Sequence, residues 1–384
     1  MSPPEPVAQT PLTTADVVFA EATPHQRILS WRLNGASWAP PMTIEQYVGR
    51  ETVLSETALS AGGGTTYYVL HPRDDPETIV SACEVTSKTA LVADAHGTDG
   101  SDTVREVKAY SIASVFTNPR FRERGMAAHM LRRVQEAVDQ TAEFGALYSD
   151  IGRVYYTRLG WKDFRSPQVL LGLAGDFTLP ATEGVSLLTA DEVAPLCERD
   201  VAAFRARFAH LARSGSESVG EGGGARTHVA FLPTPEQVAW HFARDKYVCQ
   251  VLLGREVVHR GAKTDDGNGW IYWDHDLREK KLKILRIVTR DGEEGSAETR
   301  RGTVKKLVLA ALAEAREWGL PKVLIWAPSE EIAAIATEIW RELGPKVHLV
   351  FEEREDGSIP SLRWKDGKAV DKVVWESNEY YAWC

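Results

Sequence analysis

The segment Ser111-Ile-Ala-Ser-Val-Phe-Thr117-Asn-Pro-Arg-Phe-Arg-Glu-Arg-Gly125-Met-Ala-Ala-His-Met-Leu131 changes character twice. Up to Thr117 it reads as the end of a long strand over residues 103–117. Tyr110, Ile112 and Phe116 lie on one face, and Val107, Ala109, Ala113 and Val115 on the other. Asn118-Pro119 turns the chain, and a helix runs over residues 125–143. Its apolar stripe is Ala127, Met130, Leu131, Val134 and Val138. The first N–H groups of a helix lack intrahelical partners, and the dipole makes that end positive. Arg120, Arg122 and Arg124 crowd the same end. Cations there oppose the dipole, and a bound phosphate or pyrophosphate would remove the conflict. Small residues at Gly125 and Ala127 allow close approach. Arg122-Glu123-Arg124-Gly125-Met126-Ala127 therefore reads as an anion-binding loop.

Working outward, residues 145–151 form a short strand and 154–159 a short helix within Tyr155-Tyr156-Thr-Arg-Leu-Gly160-Trp161, and 168–173 form another strand. Upstream lie a helix over 43–59 and strands over 65–70, 79–85 and 90–93, the first two joined by the turn His71-Pro-Arg-Asp-Asp-Pro76. Downstream a helix covers 190–213. The low-complexity run 214–224 follows, reading as a mobile loop or linker. Strands are then expected over 247–253, 270–273 and 283–289, and a helix over 298–318. After it come a strand over 322–326, a helix over 329–343 and a strand over 347–352. A hairpin at Asp356-Gly357 and a closing strand over 373–381 finish the chain. The two halves share this order without sharing sequence, which implies two copies of one mixed α/β fold.

The loop Arg122-x-x-Gly125-x-Ala127, followed about 30 residues on by Tyr156-x-x-x-Gly160-Trp161, resembles the GCN5-related N-acetyltransferases, the GNAT fold. Ser81-Ala-Cys-Glu84, Ser114-Val-Phe-Thr117 and Leu147-Tyr-Ser-Asp-Ile-Gly152 resemble the fungal lysine acetyltransferase (Lyc1-like) group in particular. The resemblance implies a GNAT acyl-CoA N-acyltransferase domain over 15–178, after an N-terminal tail over 1–14. A connecting helix and linker over 179–225 and a degenerate GNAT-like domain over 226–384 would complete the chain. It implies acetyl-CoA as co-substrate, held by Val115, Phe116, Thr117, the loop 122–127 and Ser149, with no metal. Backbone near Val115 would polarise the thioester carbonyl, and Tyr156 would protonate the departing thiolate. The implied chemistry is direct acetyl transfer to a small amine, foremost the side chain of L-lysine. Another amine, or a non-catalytic acyl-CoA sensor, is the alternative.

A charged amine must lose a proton before it attacks, so a base is needed. Glu84, in the apolar run Ala82-Cys83-Glu84-Val85, and Asp150 are the candidates. Alternation equally allows Glu84 to face solvent, and Asp150 to cap a helix or bind backbone. The second half carries no such loop: its counterpart, residues 290–299, is acidic. Trp270, Tyr272, Trp273, Asp274 and Asp276 could contact a cationic amine or be core aromatics beside a polar turn. The tail Asn378-Glu-Tyr-Tyr-Ala-Trp-Cys384 is aromatic enough to dock, which could bring the Cys384 carboxylate into the cleft.

The composition agrees. In 384 residues, 45 Lys and Arg oppose 54 Asp and Glu, a net charge of −9. No basic block suggests nucleic acid, no apolar run suggests a membrane, and four scattered cysteines suggest neither zinc nor disulfides. A cytoplasmic monomer or homodimer is expected.

Overall fold

The computed structural model describes residues 12–94, 103–175, 177–180, 182–217, 226–290 and 297–383. The linker run beyond Glu217, most of the acidic loop at 290–299, and Cys384 lie outside them, as does most of the N-terminal tail.

The first half runs β1 (Val17–Glu21), α1 (Pro24–Trp38), α2 (Ile44–Ser55), β2 (Thr65–Pro72), β3 (Ser81–Asp94), β4 (Thr103–Thr117), α3 (Met126–Val138), β5 (Phe144–Ser149), α4 (Val154–Thr157), β6 (Lys162–Asp163) and β7 (Pro167–Leu173). β8 (Val185–Leu188), α5 (Ala190–Glu217), β9 (Thr227–Phe231) and α6 (Pro235–Leu253) lead into the second. That half contains β10 (Gly261–Thr264), β11 (Gly269–Asp276), β12 (Lys281–Thr289), α7 (Ala297–Glu317), β13 (Lys322–Trp326) and α8 (Glu330–Leu343). It ends with β14 (Val347–Glu353), β15 (Ile359–Trp364) and β16 (Val373–Trp375).

Two sheets result. The first has the order β1-β2-β3-β4-β5-β15-β6, with β9 on β3 and β16 on β9; the second has the order β14-β7-β13-β12-β11-β10-β8. The repeat is reciprocal. β5 takes β15 from the far half as its antiparallel neighbour, and β13 takes β7 from the near half. The expected hairpin at Asp356-Gly357 is therefore not a hairpin, because β14 and β15 lie in different sheets. Each half completes the other's sheet. Leu362 and Trp364 of β15 join Phe144 and Ala146 of β5 in one buried cluster, while Val169 and Leu171 of β7 are buried among Val323 and Ile325 of β13.

Other departures have local causes. Residues 247–253 are the last turns of α6, not a strand. Thr234 caps the first turn with Pro235 behind it, and left-handed Gly254 ends the helix. α1 carries almost no amphipathic signal because its buried face is Gln26, Ser30, Trp31, Asn34 and Gly35. The closing strand is only Val373–Trp375. The chain then winds into a 3-10 turn, Tyr380–Ala382, all buried.

That turn fills a gap. β12 and β13 pair in parallel only from Leu282 to Ile284 and then diverge. Tyr380 sits at the divergence, its ring 4.2 Å from Trp326 of β13 and its hydroxyl bonded to Lys283 of β12. Glu379 accepts from Arg286 and from the Ile287 N–H of β12. Every residue of β11 is buried, so Trp270, Tyr272 and Trp273 are core aromatics.

Candidate active site

β4 and β5 repeat the divergence, and here the gap is not filled by the tail. Their parallel pairing runs from Ala109–Phe144 to Ile112–Leu147 and stops, while β4 continues to Thr117. Among the described residues, no strand pairs with the β5-facing edge of residues 113–117. Opposite, β4 stays paired with β3 but slips: Glu84 faces Ala113, whereas Ala82 faces Phe116. Ser114 and Val115 together oppose Cys83, a bulge that puts Ser114 at φ +53°. The bulge divides the chemistry. Val115 packs against the buried cluster that contains Tyr156, Met126 and Leu147, while Ser114 lines a cleft with Glu84.

On the Val115 side, α3 begins at Gly125. Its φ of +73° suits glycine, and a Cβ added there would meet nothing within 4 Å. The first intrahelical bond runs from His129 N–H to the Gly125 carbonyl, so the N–H groups of residues 125–128 are open. Arg122 donates through Nε to the Thr117 carbonyl at 3.2 Å. Among the described residues no carboxylate pairs with Arg120, Arg122 or Arg124. These groups could receive an anion, and the open space over Gly125 leaves room for the pyrophosphate of a coenzyme A. The Met126 side chain is buried and Glu123 is exposed at φ +62°, so the loop offers backbone. Phe116 and Thr117 spend their side chains elsewhere: Trp38 meets the Phe116 ring edge-on at 5.6 Å, and the Thr117 hydroxyl bonds Ser81 at 3.1 Å. Ser149 is buried with its hydroxyl donated to the Gly152 carbonyl at 2.7 Å, shaping the turn into α4.

Tyr156 is only 9% exposed. Burial holds its phenol well above the ordinary tyrosine pKa, so at neutral pH the hydroxyl is a proton donor. The Gln135 amide donates to the Leu159 carbonyl at 3.1 Å, tying α4 to α3.

On the Ser114 side, a cleft of about 180 Å³ lies between α2 and α6 over the bulge. Glu84 lines it, as do Tyr47, Arg50 and Glu51 of α2, and Trp240, Arg244 and Trp383 from the second half. Burial pushes the Glu84 carboxyl up to about 8, and the Glu51 charge adds to this; the Trp31 indole N–H, 3.2 Å from Oε1, pulls the other way. Glu84 is half-buried and faces this cleft. Asp150 also lines the cleft but is exposed, and its Oδ1 accepts from the Ser358 N–H at 2.9 Å. It binds backbone, one of the two roles the sequence left open. Asp274 does not line the cleft. It is 3% exposed on β11, with Oδ2 3.7 Å from His241.

The sequence pointed to neither α2 nor α6 as cleft walls, because their residues meet Glu84 only through tertiary packing. A tight contact sets their separation: a Cβ on Gly49 of α2 would lie 2.1 Å from the Tyr247 hydroxyl oxygen of α6. Gly49→Ala should lower stability by about 1–3 kcal/mol and open the cleft. Adding Tyr247→Phe should restore most of the loss, read as thermal midpoints of the single and double variants.

Comparisons in sequence and in structure place this chain among known proteins. A family model described as the LYC1 GNAT-like C-terminal domain matches residues 176–384. The chain belongs to this family. It is thus a GNAT-type N-acetyltransferase, of a family that uses acetyl-CoA. An uncharacterised protein of Saccharomyces cerevisiae is 22% identical over 398 residues, covering 91% of this chain and 93% of its own. Two solved structures share the fold. One is a conserved protein of unknown function from Enterococcus faecalis V583, described as a probable N-acyltransferase, with TM-score 0.52, 10% identity, and 92% and 74% of the two chains covered. The other is a GCN5-related N-acetyltransferase from Anabaena variabilis, with TM-score 0.51, 12% identity, and 91% and 73% covered. Among the described residues no helix is long and apolar enough to cross a membrane, and no group of three or more His, Cys, Asp or Glu is placed to hold a metal.

Proposed function

We propose that this acetyltransferase moves the acetyl group of acetyl-CoA to the side-chain amine of L-lysine, by direct attack within a ternary complex. The observation that carries the reading is Glu84: a half-buried carboxyl, raised to about 8, lining the cleft beside a bulge whose Val115 packs against the cluster that holds Tyr156. Acetyl-CoA supplies an activated thioester. The open N–H groups of residues 125–128 hold its pyrophosphate, with Arg122 and Arg124 beside them. The unpaired edge of residues 113–117 takes its pantetheine arm as a strand would, and backbone at Val115 faces the carbonyl oxygen. Glu84 accepts the proton of the incoming ammonium. That cation draws the carboxylate back toward its charged form, so substrate binding itself readies the base. Tyr156 gives its proton to the leaving sulfur. Asp150 holds the turn before β15 in place, and Glu84 alone is the base.

The domain reading follows: residues 15–178 carry the catalytic machinery and 226–384 close the acceptor cleft. In the second half Tyr380 stands where a pantetheine arm would enter, so one acetyl-CoA binds per chain. Lysine degradation in the cytoplasm is the setting proposed, supported by buried, unpaired Cys83, Cys197 and Cys249, which suit a reducing compartment.

Gly125→Val should raise the KM for acetyl-CoA about tenfold or more, because it adds both a β-branched strain at positive φ and bulk beside the pyrophosphate. The kcat at saturating acetyl-CoA should change little. The overall reading is tested by CoA release across lysine, polyamines and amino sugars. Lysine should give the highest kcat/KM, and a polyamine or amino sugar in its place would move the assignment to that class.

A further inference from the structure

Three guanidinium groups line the acceptor cleft: Arg50, Arg244 and Arg278. Two are already engaged. Arg50 donates to Glu51, its Nε 2.8 Å from Oε1. Arg278 donates to the Trp38 carbonyl at 3.2 Å and lies 3.8 Å from Glu279. Arg244 has no hydrogen bond or ion pair among the described residues. It is half-buried, and its guanidinium lies over the Trp383 ring with Cζ 5.5 Å from the centroid. The ring contact engages none of its N–H groups in a hydrogen bond, and a guanidinium with its N–H fork available takes a carboxylate in a bidentate grip. Trp240, one helical turn earlier on α6, lines the same cleft and backs the fork with apolar surface.

The cleft is thus bipolar. Its lining joins the half-buried acid Glu84 on β3 to a cation contributed by the second half, Arg244, which Asp276 reaches electrostatically but does not hydrogen-bond. Tyr47 of α2 lies within electrostatic reach of Glu84 and Arg244. A plain diamine would satisfy Glu84 and meet repulsion from Arg244. A molecule with an amine at one end and a carboxylate at the other satisfies both.

We infer that Arg244 is the specificity-determining residue of the acceptor site, binding the carboxylate of an amino-acid substrate whose distal amine lies at Glu84. This rests on the proposed acetyl transfer to an amine. It assigns the second half a task, reading the substrate's anionic end, and the free fork of Arg244 is the place where that task is done.

The test uses the full-length protein and matched amines that differ only by a carboxylate: L-lysine with cadaverine, and L-ornithine with putrescine. CoA release gives kcat/KM, and calorimetric titration of the amine gives affinity without turnover. Wild type should prefer the carboxylated member of each pair. Arg244→Gln should lower its kcat/KM and affinity about 10–100-fold while leaving the decarboxylated member nearly unchanged, and Arg244→Lys should recover part of the loss. If Arg244→Gln weakens both members equally, or wild type prefers the diamines, the inference is overturned while acetyl transfer to an amine stands. If no amine releases CoA, the functional reading falls and this one with it. A thermal midpoint for Arg244→Gln within a few degrees of wild type excludes misfolding as the cause.

Discussion

Replacing Glu84 with Gln should cut kcat by about 10²–10³-fold, the range for removing a positioned general base, with the KM for acetyl-CoA unchanged. Glutamine keeps the shape and the Trp31 contact but cannot accept a proton. The pH profile makes the case specific. Glu84 works as a carboxylate, and burial raises its carboxyl to about 8. In the wild type kcat/KM for the amine should therefore climb with pH and level off above about 8. In Glu84→Gln this limb should vanish from the residual rate. Stability should move the other way. The folded protein keeps the Glu84 proton to about 8, whereas an unfolded glutamate loses it near 4.5. The associated stability is fully present below the unfolded value and is lost as pH rises through about 8. Glu84→Gln should therefore melt higher than wild type at pH 9 and much the same at pH 4. A base elsewhere would leave the limb in place in the variant.

Tyr156→Phe should lower kcat by about 10²-fold or more and leave acetyl-CoA binding intact. The ring is part of the buried cluster of Met126, Met130 and Leu147, and phenylalanine preserves that packing. The lost hydroxyl is the group that gives the leaving thiolate its proton. Because burial holds the phenol far above neutrality, wild-type kcat should show no decline from tyrosine ionisation below pH 9. Equal loss of kcat and acetyl-CoA affinity in the variant would assign Tyr156 to binding instead.

The residues that the sequence made legible are those whose geometry is set locally. The strand-turn-helix around Arg122–Ala127 follows from alternation, a proline turn and a helical stripe within 30 residues. The Tyr156–Trp161 segment likewise stays beside α3. The strand exchange was hidden because a strand–turn–strand pattern looks the same whether its arms pair with each other or part, as β14 and β15 do. α1 was hidden by its polar buried face, and α6 was in part misread as a strand from the apolar run Tyr247–Leu253. The acceptor cleft was hidden for a related reason. Arg244, Trp240 and Trp383 reach Glu84 across 156 to 299 positions of sequence, and no periodicity encodes that meeting. The tail was legible as far as its docking: Tyr380 and Tyr381 are buried, and Trp383 lines the cleft.

The most direct measurement is a single turnover. Protein mixed with an equal amount of radiolabelled acetyl-CoA is chased with L-lysine, quenched over time, and the label located. The label should pass to the lysine side-chain nitrogen in step with CoA release, with none on the protein and negligible CoA release before lysine is added. Label retained on the protein, or CoA released equally fast without an amine, would contradict direct transfer in this cleft.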